Sequence, residues 1–200
     1  MPVTSQPLGR RERNKREKLD RITAAASELF AEFGVEDVTT QQIADKADIG
    51  TGTLFLYARN KGELLLLVQN VHYAEALERG RTEAQANPDA LGAVMSIVRP
   101  IVECNRVQID NGRFYLREMV FGDPTETHHN AALSIVGQTE EAIAEILGRE
   151  KLAGAEDAAT AARIVSAIMF VSLAASVNAG MDIEALERDI RTQISLLIRR

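Results

Sequence analysis

Residues 39–65, TTQQIADKADIGTGTLFLYARNKGELL, decide the fold. Thr39 and Gln42 have the spacing of a capping box, in which each side chain bonds the backbone amide of the other residue, so a short helix is predicted to begin here. A second short helix is predicted from Thr51 to about Tyr57, after a turn that contains aspartate and glycine. Two short helices joined by a tight turn form a helix-turn-helix, whose second helix enters the major groove of DNA. The sequence therefore predicts a DNA-binding module.

The rest of the chain shows the apolar periodicity of helices. In residues 22–34, ITAAASELFAEFG, apolar side chains recur every three or four positions, and Gly34 suits the end of a helix. Similar patterns follow, with Pro100 predicted to kink or divide one helix and Asn111-Gly112 predicted to form a turn. The 200 residues include only five prolines and 4% aromatic side chains, and no strand-like alternation is found in the sequence. We predict an all-α fold of about nine helices.

Charge is distributed unevenly along the chain. The formal net charge is −6, which by itself argues against a nucleic-acid partner. Residues 10–21 nevertheless carry seven basic and three acidic side chains, a local charge of +4, and the remaining 188 residues therefore sum to −10. A basic end on an acidic body is expected if that end meets phosphate, and we predict a second phosphate-binding element there. A solvated, charge-rich helix start is the alternative interpretation.

The cysteine content and the apolar segments indicate where in the cell the protein is expected. The single cysteine, Cys104, excludes an internal disulfide framework and fits a reducing cytoplasm, and we expect it to be a small buried hydrophobe rather than a redox switch. Residues 1–9 lack the apolar core of a secretion signal. The apolar run at residues 164–177 is too short to span a bilayer and contains three serines. We predict a buried or dimer-facing helix there, and no membrane partner.

These motifs resemble the tetracycline-repressor (TetR) family of bacterial transcriptional regulators. Residues 39–65 carry the resemblance, and residues 22–34 look like the first helix of that family. The stretches that match the family pattern are Thr53-Leu54-Phe55, Leu56-Tyr57-Ala58 and Lys61-Gly62-Glu63-Leu64. The resemblance implies a flexible basic arm at residues 1–14, a helix-turn-helix domain at residues 15–62, and a ligand-binding and dimerisation domain at residues 63–200.

The resemblance also implies which residues meet a double-stranded DNA operator. They are Thr39, Thr40, Gln41, Thr51, Gly52, Thr53, Leu56, Tyr57 and Lys61. Phe55 stands where the family has tyrosine, so we expect it only to pack, and Ala58 replaces an aromatic residue and should leave its corner less tightly filled. Asp48 stands where the turn commonly has glycine, and aspartate tolerates the left-handed conformation better than most residues.

A small-molecule effector and a homodimer are further implications of the resemblance. The dimer would use the last two long helices; residues 164–177 are apolar nearly all round, which fits either a dimer interface or the core of a monomer. Polar residues on apolar stripes, and an aromatic cluster where the resemblance places pocket walls, supply ligand candidates. These candidates are Met95, Asn105, Phe114, Tyr115, Glu118, Phe121, Thr139 and Met169. An apolar and an anionic ligand both remain open.

The predicted function is a ligand-responsive regulator, a repressor that a small molecule releases from a palindromic operator. The alternative is a ligand-independent DNA-binding adaptor that recruits another protein. An enzyme is not expected, because the sequence has no P-loop, no His-Glu-x-x-His and no recognisable Ser/His/Asp arrangement. His128-His129, near acidic residues, suggests a metal site, but adjacent histidines do not share a helix face. We predict a solvated loop there, no metal and no cofactor.

Overall fold

The computed structural model describes residues 9–149 and 155–198, and nine α-helices are found within these ranges. In chain order they are α1 (Arg10–Asp37), α2 (Thr40–Lys46), α3 (Thr51–Leu54), α4 (Lys61–Gln85), α5 (Ala90–Arg106), α6 (Ile109–Phe121), α7 (Thr127–Arg149), α8 (Ala155–Ala174) and α9 (Ile183–Ile198). A short 3-10 helix, Ser176–Asn178, lies between α8 and α9. The described ranges contain no strand, and the all-α prediction is confirmed.

Helices α1, α2 and α3 share one apolar core. Ile22 and Phe30 of α1, Ile43 of α2 and Leu54 of α3 are all buried in it. Burying large aliphatic and aromatic side chains contributes roughly 1.5–3 kcal/mol each, which compensates for helices as short as α2 and α3.

The turns of this domain follow the local signals in the sequence. The capping box at the start of α2 is confirmed, because the Gln42 amide donates to Thr39 Oγ1 at 3.2 Å and the Thr39 amide donates to Gln42 Oε1 at 2.8 Å. Asp48 has a φ of 53°, the left-handed conformation expected for this turn. The two short helices are thus fixed relative to each other by local interactions as well as by their core.

Helix α1 is longer than the sequence pattern predicted. It begins at Arg10, so residues 10–14 of the predicted flexible arm are helical, whereas residues 1–8 lie outside the described residues. Arginine, lysine and glutamate are good helix formers, and they extend the helix without help from apolar packing. Near its other end, Gly34 has φ 78° and ψ 156°, so the predicted helix end at this glycine is confirmed.

A residue of α6 holds the end of α1. Asn111 Nδ2 donates to the Phe30 carbonyl oxygen at 2.8 Å, and Asn111 Oδ1 accepts from the Val35 amide at 2.7 Å. The prediction of a turn at Asn111-Gly112 is therefore wrong, since both residues lie inside α6. The helix instead begins after Gln108, whose side chain accepts from the Asn111 amide at 2.6 Å. The asparagine amide group is used for a contact between helices rather than for a turn.

Helix α4 is at the centre of the carboxyl-terminal part and contacts α1, α5, α6 and α7. Leu64, Leu65 and Leu77 are buried in a core that also contains Ile97 of α5. Helix α5 runs through the buried Pro100 as one element, so the proline does not divide it.

Helix α8 is only partly covered. Val165, Met169 and Leu173 are buried, whereas Ile164 is 42% exposed and Val171 is 62% exposed. Residues 156–174 are long and apolar enough to cross a membrane by length and composition, and 33% of that stretch is buried. A helix that packs in a protein core meets the same criteria, so this finding alone is weak support for a membrane span.

Candidate DNA-binding surface and ligand cavity

The helix-turn-helix presents α3 and the turn after it at the surface. Leu56 is 83% exposed, and Thr53 and Tyr57 are half-buried. These three residues line one cleft beside α1, where the Tyr57 hydroxyl donates to the Lys15 carbonyl oxygen at 3.3 Å. Thr51 is half-buried and Gly52 is exposed at the start of the same helix. Their contact with DNA stays a prediction, and the structure places all five near one another.

Two of the three residues predicted at α2, Thr39 and Gln41, already have intramolecular partners. Thr39 caps the helix, and exposed Gln41 donates from Nε2 to Asp45 Oδ1 at 2.7 Å. Thr40 is the half-buried first residue of α2. A DNA contact by Gln41 would therefore replace an exposed internal hydrogen bond.

Lys61, predicted to contact phosphate, stands at the first position of α4. Its Nζ donates to the Glu36 carbonyl oxygen at 2.8 Å and so bridges α4 to the end of α1. An ammonium group has three donors, so this bond leaves capacity for a phosphate oxygen. The phosphate contact stays a prediction.

The expectation that Phe55 only packs is wrong. Its ring is 45% exposed, because Leu54 occupies the buried position at the end of α3 and the next residue falls on the outer side. Phe55 therefore belongs to the same exposed surface as Leu56. Ala58 is 4% exposed and lies in the core.

A cavity of about 480 Å³ lies among α4, α5, α6, α7 and α8. Three of the predicted ligand residues line it, namely Tyr115, Thr139 and Met169. The Thr139 hydroxyl donates to the Ile135 carbonyl oxygen at 2.8 Å, so this polar side chain is satisfied within its own helix. The volume is in the range of small-molecule sites.

Five predicted ligand residues do not line this cavity. They are Met95, Asn105, Phe114, Glu118 and Phe121. Met95 is buried in the core, and Phe121 is 80% exposed. Phe114 and Glu118 both contact Arg117, whose guanidinium carbon lies 4.1 Å from the centre of the Phe114 ring and whose Nε lies 3.7 Å from Glu118 Oε1. The sequence could not show which face of α6 turns inward, because apolar side chains occur on more than one face.

Asn105 supports the cavity wall from behind. Its Nδ2 donates to the Tyr73 hydroxyl oxygen at 2.6 Å, and the Tyr73 ring stacks on that of Tyr115 with centroids 4.3 Å apart. The Tyr115 hydroxyl donates to Asn70 Oδ1 at 2.9 Å. Burial raises the pKa of both tyrosines well above their usual range, so both phenols stay neutral. The tyrosine pair gives the cavity a fixed, uncharged wall.

Further lining residues were not singled out from the sequence. They include Leu116, Met119, His129, Val136, Arg163 and Phe170. Met119 follows Tyr115 by four residues and so lies on the same helix face, and this spacing could have identified it once Tyr115 was chosen. Arg163 is the exception, because an exposed charged residue on a helix gives no sequence signal for a cavity rim.

The prediction of a solvated loop at His128-His129 is wrong. Both residues lie in the first turn of α7, and His129 is 4% exposed. The buried Glu63 carboxylate accepts from the His128 amide at 3.2 Å and from the His129 amide at 3.1 Å, which satisfies the free donors at the start of the helix. His128 Nε2 lies 2.9 Å from the Tyr57 carbonyl oxygen, and His129 Nε2 lies 2.9 Å from that of Met119. The local sequence could not reveal these partners, since they come from three other segments.

The histidines are thus structural groups with backbone partners. Among the residues that the structure describes, no three His, Cys, Asp or Glu side chains are grouped as metal ligands. The first turn of α7 touches the cavity through His129 and the helix-turn-helix through His128.

An exposed second helix after a tight turn forms a helix-turn-helix module, and it is attached to a helical domain with an apolar cavity. Residues 22–68 match the family model described as bacterial regulatory proteins, tetR family. No curated protein matches the sequence.

Solved structures agree over almost the whole chain. A TetR transcriptional regulator from Rhodococcus sp. RHA1 has a TM-score of 0.71 at 20% identity, covering 92% of this chain and 97% of that one. FadR from Thermus thermophilus, a TetR-family repressor in complex with lauroyl-CoA, has a TM-score of 0.72 at 24% identity, covering 88% of this chain and 93% of that one. FadR from Bacillus subtilis in complex with stearoyl-CoA has a TM-score of 0.65 at 17% identity, with coverage of 90% and 97%.

At these identities the structural likeness shows the fold. Together with the match over the helix-turn-helix, it confirms the resemblance seen in the sequence. Residues 22–68 therefore match the TetR family model, and the chain as a whole shares its fold with TetR regulators of known structure.

Proposed function

We propose that this chain is a ligand-responsive repressor, which binds a palindromic operator as a homodimer in the cytoplasm and leaves it when a small molecule occupies the cavity. The observation that carries the proposal is the position of α7. Its first turn borders the cavity through His129 and bonds the end of the helix-turn-helix through His128. A ligand that repositions this turn acts on the DNA-binding surface, which is a population shift between two arrangements.

The lining of the cavity favours an apolar ligand. Leu116, Val136 and Phe170 contribute apolar walls, and the two tyrosines are held neutral by burial. The charged lining residues, Glu140 and Arg163, are not buried. Two structures with the same fold were solved with lauroyl-CoA and stearoyl-CoA. We propose a ligand of the fatty-acyl class, with its chain in the cavity and its polar end toward Arg163.

The uncovered face of α8 supports the homodimer. Ile164 and Val171 are exposed there, and Leu196 of α9 is 68% exposed. Helices α8 and α9 contact each other, and we propose that their exposed apolar side chains form one surface. A two-fold axis through this surface would cover it in both copies and set two α3 helices at half-site spacing, which fits a palindromic operator.

The test measures DNA affinity with and without lauroyl-CoA, on a duplex selected by the wild-type protein from a random pool. We expect lauroyl-CoA to weaken DNA binding by about 5- to 150-fold, the usual range of coupling between two sites. Val136→Trp fills part of the cavity and should remove the response while DNA binding persists. Val71→Trp is the matched control, because Val71 is 49% exposed on α4 and does not line the cavity.

Two outcomes would contradict the proposal. If lauroyl-CoA leaves the DNA affinity unchanged, the fatty-acyl ligand is wrong. If DNA binding is intact and the cavity-filling variant also behaves as wild type toward every compound that binds the protein, the adaptor becomes the better description. In that case the exposed apolar side chains, such as Phe121, would be the surface to examine.

A further inference from the structure

The first three turns of α1 carry a row of basic side chains next to α3. Arg11, Lys15 and Lys18 are separated by four and three residues, so they lie on one face of the helix. They line a cleft of about 690 Å³ together with Glu12, Asn14, Thr53, Leu56 and Tyr57. The basic row and the exposed side of the helix-turn-helix therefore form two walls of one groove.

This groove has a fixed geometry. Helix α1 is continuous from Arg10 to the interruption at Gly34, and its later turns are buried in the core from Ile22 onward. The Tyr57 hydroxyl donates to the Lys15 carbonyl oxygen at 3.3 Å and ties the two walls together. Because the basic side chains extend from an ordered helix, a bound partner does not have to order a flexible backbone.

No ion pair among the described residues neutralises the charge of the basic row. Within the described residues, the ion pairs of α1 join Arg21 to Asp48 and Glu28 to Lys46, and neither involves the row. Glu12 is the single carboxylate in the lining, against three cationic side chains. An elongated groove with a net positive charge is complementary to a chain of phosphates.

We propose that Arg11, Lys15 and Lys18 bind the phosphodiester backbone of the DNA strand that borders the major groove entered by α3. This inference rests on the proposed DNA-binding function and extends its contact surface by about two helical turns. The matched family segment begins at residue 22, so the basic row lies before it. A DNA strand is favoured over an anionic membrane because the row shares its groove with Thr53 and Leu56, and a flat lipid surface would not fill a groove.

The experiment compares two triple variants that remove the same charge. The first is Arg11→Ala with Lys15→Ala and Lys18→Ala; the second is Arg10→Ala with Arg13→Ala and Arg16→Ala, which lie on the other faces of α1 and do not line the groove. DNA affinity is measured against salt concentration by fluorescence anisotropy, on the selected operator and on a duplex of unrelated sequence. Alanine keeps the helix propensity high, and thermal unfolding of both variants verifies that the fold is retained.

Each phosphate contact contributes about 0.9 to the slope of log affinity against log salt. We expect the slope of the first variant to fall by about 2–3 and that of the second by less than one. The first variant should lose affinity by the same factor on both duplexes, because phosphate contacts carry no sequence information. Lys15→Gln alone should lower the slope by about one.

Equal slopes for the two triple variants would overturn the proposal while leaving DNA binding by the helix-turn-helix intact. If the first variant lost affinity for the selected operator alone, the proposal would also be overturned, because such a loss would indicate contacts with bases. Binding to vesicles of phosphatidylglycerol that depends on the basic row, with unchanged DNA slopes, would assign the row to a lipid surface instead. Failure of the wild-type protein to bind any selected duplex would overturn the DNA-binding function itself.

Discussion

The imidazole Nε2 of His128 lies 2.9 Å from the carbonyl oxygen of Tyr57, at the end of the helix-turn-helix. A carbonyl oxygen only accepts, so this nitrogen carries the proton. The next residue, His129, borders the ligand cavity. Two adjacent side chains in the first turn of α7 therefore touch the cavity and the DNA-binding domain.

His128→Ala should weaken the response of DNA binding to a ligand. The substitution removes the hydrogen bond from α7 to Tyr57, so movement of the first turn of α7 is transmitted less completely. The measurement is the ratio of DNA dissociation constants with and without lauroyl-CoA, which should fall at least several-fold toward one. Ligand affinity should change little, because His128 does not line the cavity.

His72→Ala is the matched control for that variant. The His72 side chain is 51% exposed, and its ring nitrogen lies 3.9 Å from Glu75 on the same helix. For His72→Ala, the ratio of DNA dissociation constants with and without lauroyl-CoA should equal that of the wild type. If His128→Ala also keeps the wild-type ratio, coupling does not pass through this bond.

Glu63→Ala should lower the free energy of unfolding by about 1–3 kcal/mol, because the His128 and His129 amides at the start of α7 lose their acceptor. Chemical denaturation measures the change. Glu83→Ala, at an exposed position of α4, should alter stability by less than about 0.5 kcal/mol. Similar values for the two variants would show that Glu63 does not stabilise the helix start.

Gly34→Ala should destabilise the protein by about 1–3 kcal/mol. Gly34 has φ 78° and ψ 156°, a conformation almost restricted to glycine, and an added Cβ would stand 3.1 Å from Gln108 Nε2. Gly137→Ala makes the same chemical change in α7, where an added Cβ meets open space, and should stabilise by about 0.5–1 kcal/mol. Thermal or chemical unfolding should therefore show a lower free energy of unfolding for Gly34→Ala and a higher one for Gly137→Ala. If both substitutions changed the free energy of unfolding in the same direction, the assignment of strain to Gly34 would be contradicted.

Cys104 should react slowly with iodoacetamide in the folded protein. Burial raises the pKa of its thiol from 9.0 to about 11. Because a raised pKa leaves less thiolate at any given pH, the alkylation rate should reach half its maximum near pH 11, whereas the unfolded protein should do so near pH 9. Mass spectrometry of timed samples gives both profiles, and coincident midpoints would contradict the effect of burial.

The helix-turn-helix could be predicted from the sequence because the features that identify it are local. The capping box at Thr39 and the left-handed turn at Asp48 depend on residues within a few positions of each other. Asn111 shows where such reasoning stops. It stands before a glycine and has the appearance of a turn, yet its amide group bonds Phe30 and Val35, which are far away in the sequence.

The candidate ligand site was predicted less well for the same reason. Tyr115, Thr139 and Met169 line the cavity, but the aromatic residues Phe114 and Phe121 face elsewhere. Helical periodicity identifies an apolar stripe and does not distinguish a stripe that packs from one that borders empty space. His129 was missed because its partners, the Glu63 carboxylate and the Met119 carbonyl, come from other helices.

The hydrogen bonds from Asn111 to the end of α1 limit how the amino-terminal domain of this protein can be exchanged with that of a structurally similar protein. A chimera that takes only residues 1–62 from this chain would carry the end of α1 without the amide group that satisfies its Phe30 carbonyl and Val35 amide. Exchange of this module between proteins of the same fold would therefore succeed when the donor also supplies an asparagine at the matching position of α6. The practical unit of transfer is the first three helices together with that one side chain.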